Sequence, residues 1–107
     1  MDLEKVEELY RDILGPFPER VPLNLETLEE EDCGDFTRSL IAWDNDAEER
    51  VHGYLLRPKV EEKRPGVLVF HGHGAWELGK KSTAGVDVEG DKPCLGPGLV
   101  QRGLVVL

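Results

Sequence analysis

The chain has 107 residues, with 13 Lys and Arg against 22 Asp and Glu, a formal net charge of -9 and a hydrophobic fraction of 39%. That length holds one domain or less and leaves no room for a second. The acid excess argues against a phosphate-backbone partner, since non-specific nucleic-acid binding rests on clustered Lys and Arg, and no run approaches the roughly 20 apolar residues of a membrane span. The amino terminus, Met1-Asp2-Leu3-Glu4, has neither a basic nor an apolar leader region. Cys33 and Cys94 lie far apart and match no zinc or C-x-x-C spacing, so reduced thiols in a soluble, cytoplasmic protein are expected.

In chain order, Leu3, Val6, Leu9, Tyr10, Ile13 and Leu14 recur at threes and fours, with acids at the start and Gly15-Pro16 after the end. This predicts an amphipathic helix over Asp2 to Leu14, docked by its apolar stripe on the rest of the fold. Residues 15 to 35 carry Pro16, Pro18 and Pro22 and the acidic run Glu29-Glu30-Glu31-Asp32. They read as an irregular surface connection, and 1 to 35 together as a helix and acidic linker ahead of the main unit at 36 to 107. Adjacent carboxylates in such a loop read as solvated, because hard cations need oxygens that converge on a point.

Phe36 to Trp43 and Val51 to Arg57 are rich in strand formers, and Asp44-Asn45-Asp46 between them supplies turn chemistry, so an antiparallel hairpin is predicted. His52, inside the second strand, has no partner at ligand spacing and reads as a structural or surface histidine. Val67-Leu68-Val69-Phe70, entered through Pro65-Gly66, reads as a strand covered on both faces. Gly72 and Gly74 at its carboxyl end free the backbone for positive φ and for close approach to a ligand. Glycines and prolines break 75 to 97 into a long loop of the kind that is unusual unless functional. A short helix near Gly98 to Arg102 then leads through Gly103 into an apolar strand at 104 to 107. Strand, helical crossover and strand make a βαβ unit, with the strands at 67 and 104 parallel. A strand that stops on its most apolar residues, with nothing to cover it, reads as the front part of a longer chain.

The turn His71-Gly72-His73-Gly74 is where the chemistry concentrates. Backbone amides fixed at a strand end can converge on a developing oxyanion, each donor contributing typically about 2.7–4 kcal/mol at an acyl-transfer transition state. The amides of His73 and Gly74 are the candidate donors. Gly72 allows the turn, and the His71 ring is expected to brace it.

With these residues in place the sequence resembles the amino-terminal part of the α/β-hydrolase fold, in the branch of dienelactone hydrolase-like, acetyl xylan esterase-like and prolyl oligopeptidase-like enzymes. The resemblance rests on Gly53 to Pro58, Pro65 to Gly74 and Leu99 to Leu107, and it covers roughly Phe36 to Leu107. It implies an α/β fold, namely an amphipathic helix, an antiparallel hairpin and a parallel βαβ unit from the start of such a sheet. It also implies a cytoplasmic serine hydrolase of small-molecule ester or related acyl bonds, without cofactor, metal, nucleic-acid or membrane partner. A G-x-S-x-G elbow and the later Asp and His of the triad do not occur here. Ser39 lies in a hairpin strand and Ser82 in a loop, so no catalytic residue is assigned within the chain, the triad is expected beyond Leu107, and these residues alone are expected to be inactive. Two alternatives stand beside this reading. One is a metal-dependent hydrolase using His71-x-His73, helped by Asp87 or Glu77; the other is a hydrolase-like binding module without turnover.

Overall fold

The structure is a computed structural model and describes residues 2–72, 79–86 and 94–107. Helix α1 spans Leu3–Leu14. Strands β1 (Glu26–Asp32), β2 (Phe36–Asp44), β3 (Arg50–Pro58) and β4 (Gly66–Val67) follow, then helices α2 (Lys80–Ala84) and α3 (Leu95–Gln101), then β5 (Val105–Val106). The strands form one five-stranded sheet in the order β1-β2-β3-β5-β4.

The hairpin forms where its pattern places it. β2 and β3 pair antiparallel from Phe36 opposite Pro58 to Asp44 opposite Arg50. At its tip, Asp46 Oδ1 accepts from the backbone N–H of Glu48 and Glu49, both at 2.8 Å, so the turn's orphan donors are met by the residue best suited to it. Arg50 fixes the strand ends by donating to Asp44 Oδ1 at 2.8 Å and Glu26 Oε2 at 2.9 Å.

The architecture around that hairpin differs from the expected one. The chain forms a mostly antiparallel mixed sheet with few helices, not a two-stranded hairpin followed by a βαβ unit of an α/β-hydrolase sheet. The acidic stretch expected as irregular contains β1, which pairs antiparallel with β2 and carries a bulge between Thr27 and Glu29. Every residue of β1 is exposed. An edge strand open to water needs no apolar alternation, and charges on such an edge discourage pairing with other chains. That is why an acidic run can be a strand. β3 pairs antiparallel with β5 through Leu56 and Val106, and the parallel part of the sheet reduces to Gly66–Val105 and Val67–Val106.

A small core lies on one face of the sheet. Phe36, Leu56 and Val106 from the strands meet Ala84 of α2 and Val100 of α3. Leu56, at 1% exposure, is the centre; full burial of such a side chain stabilises by about 1.5–3 kcal/mol. The helices sit close enough that a Cβ at Gly96 would lie 2.6 Å from the Thr83 carbonyl oxygen and 3.2 Å from Leu56 Cδ2. Arg38 ties α2 to the sheet, donating from Nη1 to the carbonyls of Ala84 at 3.0 Å and Gly85 at 3.2 Å and from Nη2 to Glu31 Oε2 at 2.6 Å. The last carbonyls of a short helix thereby gain a charged donor that they lack internally.

Three local expectations are corrected. Helix α1 forms where expected, one residue shorter because Asp2 caps it, its Oδ1 accepting from Glu4 N–H at 3.1 Å, but none of its residues is buried, so its stripe is not docked. The run at 67 to 70 is not covered on both faces, for Leu68 and Phe70 are 65% and 86% exposed. The strand at 104 to 107, expected to lack cover, lies between β3 and β4 with Val106 buried.

Candidate functional site

The site is built where β4 gives way to the glycine turn. Beyond Val67 the backbone continues alongside β5: Leu107 N–H donates to the Val67 carbonyl at 3.0 Å, and Val69 N–H donates to the Leu107 carbonyl at 2.8 Å. Val69 turns inward against the core, while Leu68 and Phe70 turn out, as alternation along an extended segment requires.

His71 and Gly72 follow, both exposed. His71 Nδ1 lies 3.2 Å from the Gly72 carbonyl oxygen and donates to it when the proton is on Nδ1. On its other side the ring approaches Gly79, the residue before α2, with Nε2 3.6 Å from where a Cβ would stand. Gly72 does not adopt positive φ, and among the described residues none but its chain neighbours comes within 4 Å of a Cβ built there. His73 and Gly74, the candidate amide donors, lie outside the described residues, as do Glu77 and Asp87 of the metal alternative.

The turn opens on a cleft of about 660 Å³, within the range of about 300–1,000 Å³ usual for small-molecule sites. Its walls are β3 from Val51 to Tyr54, the extended segment from Leu68 to His71, Trp43 of β2, and Lys80 and Thr83 of α2. His52, an exposed strand residue as expected, reaches the same cleft as His71. Trp43 and Lys80 were not indicated by the sequence reading. The register of Trp43 opposite Val51 gives a signal for the first, since both belong to one end of the hairpin. Nothing in the spacing marks Lys80.

The two serines are apart from this turn in kind as well as in sequence. Ser39 is buried in β2 at 2% exposure, with no hydrogen-bond partner for its Oγ. Ser82 belongs to α2, where a loop was expected. Among the described residues no group of three or more His, Cys, Asp or Glu side chains is placed to hold a metal ion, and no helix is long and apolar enough to cross a membrane.

The strongest electrostatic features are away from the cleft and serve the sheet. Hydrogen bonds from the Lys59 ammonium, at 2.6 Å, and from the Gly34 amide hold the Asp32 carboxyl below its ordinary value. The Asn24 amide, at 2.7 Å, and then Arg50 do the same for Asp44. Asp44 in turn raises Arg50. These groups pin β1 and the hairpin ends, and neither carboxylate is held near neutrality as a general base would be.

The chain is similar to a protein of Bacillus subtilis (strain 168) named "Putative hydrolase YtaP", with 33% identity over 82 residues, which is 75% of this chain and 27% of that protein. The chain thus spans about a quarter of the relative's length. No family profile matches the chain, and no solved structure matches it. A relationship to a hydrolase follows from this similarity, and no particular branch of hydrolases is distinguished by it.

Proposed function

We propose that the complete protein is a hydrolase of an ester or related acyl bond, to which this chain contributes the turn that receives the oxyanion. The similarity to a protein named as a hydrolase carries the proposal. In this reading a serine hydroxyl attacks the acyl carbon while a histidine base takes its proton, both from outside these residues, and the carbonyl π electrons move to oxygen. The N–H groups of His73 and Gly74 donate to that oxyanion, and collapse of the intermediate, with return of that proton to the leaving oxygen, expels the alcohol. Water then releases the acid from the acyl-enzyme. His71 keeps the turn in shape through Gly72 and Gly79, and acts as no base.

Among the described residues none but its chain neighbours comes within 4 Å of a Cβ at Gly72, and its φ is not positive, so nothing described calls for glycine there and the open space beside it is compatible with a ligand. The test combines two measurements on the complete protein. A fluorophosphonate probe should label one serine, and Gly72→Ala should reduce hydrolysis of p-nitrophenyl acetate by about tenfold or more while unfolding within about 0.5 kcal/mol of the parent. Absence of serine labelling, or full turnover in Gly72→Ala, overturns the proposal.

A further inference from the structure

We draw no further inference here: the strongest candidate, the exposed apolar stripe of α1 formed by Leu3, Leu9, Tyr10, Ile13 and Leu14, carries none because nothing in the structure shows what covers it.

Discussion

The contact between α2 and α3 predicts that two neighbouring glycines respond to the same substitution with opposite sign. Gly96 and Gly98 both lie in α3, where Gly→Ala ordinarily stabilises by up to about 1 kcal/mol through helix propensity. At Gly98 the added Cβ has only Arg102 Nη1 near it, at an ordinary 3.7 Å, so Gly98→Ala should realise about 0.5–1 kcal/mol of that gain. At Gly96 the Cβ would stand 2.6 Å from the Thr83 carbonyl oxygen. The obstacle is backbone, and α2 cannot easily retreat because Arg38 holds its Ala84 and Gly85 carbonyls. Overpacking of this kind costs about 1–3 kcal/mol; from the middle of that range, less a propensity gain of about 0.5–1 kcal/mol, Gly96→Ala should destabilise by about 1–1.5 kcal/mol. The two variants should differ by about 2 kcal/mol, or roughly 8–16 °C in Tm for a domain of this size. Urea unfolding, read by far-ultraviolet circular dichroism and by tryptophan fluorescence, measures it. If Gly96→Ala is as stable as the parent, or both variants move the same way, the helices do not meet as described.

Other outcomes follow from the same structure. Leu56→Ala should cost about 2–5 kcal/mol in urea unfolding, a large share of the about 5–15 kcal/mol usual for a domain, because Leu56 is buried among Phe36, Ala84, Val100 and Val106. Asp2→Ala should cost α1 about 0.5–2 kcal/mol of local stability and lower the helical dichroism while leaving the sheet's unfolding midpoint in place, since α1 buries nothing. The carboxyls of Asp32 and Asp44 sit below their ordinary value in the folded chain. The unfolded chain therefore binds more protons near and below about pH 4, so this stabilisation is whole above the unfolded value near 3.9 and is lost as the pH falls through the folded ones. Denaturant midpoints taken from pH 6 downward should fall in that window, and Lys59→Met should shrink the part due to Asp32 to what the Gly34 amide sustains.

The hairpin was legible because both of its strands are half-buried and its turn chemistry is local. The expected strands at Phe36 to Trp43 and Val51 to Arg57 share the observed start of β2 and fall one residue short at the other three ends. β1 was not legible for the converse reason. Its residues Glu26 to Asp32 are all exposed, and a strand held by ladder bonds and by Arg38–Glu31, Arg50–Glu26 and Lys59–Asp32 pairs leaves no apolar period to read. At the candidate site, His71 could be singled out because it closes an apolar run and opens a glycine-rich stretch. Lys80 could not, since only the return of the chain through α2 brings it to the cleft.

Periodicity records which residues avoid water and leaves open what covers them, and this separates the correct from the corrected readings at α1 and at 67–70. In α1 the three-and-four spacing yields the helix, yet Leu3, Leu9, Tyr10, Ile13 and Leu14 all face solvent in the described chain. The apolar run at 67–70 likewise yields an extended segment, while Leu68 and Phe70 remain largely exposed and Val69 alone reaches the core. The pattern at 67–70 thus fixes an extended segment and leaves its cover to contacts that the run itself does not encode, of which the described residues supply that of Val69 against the core.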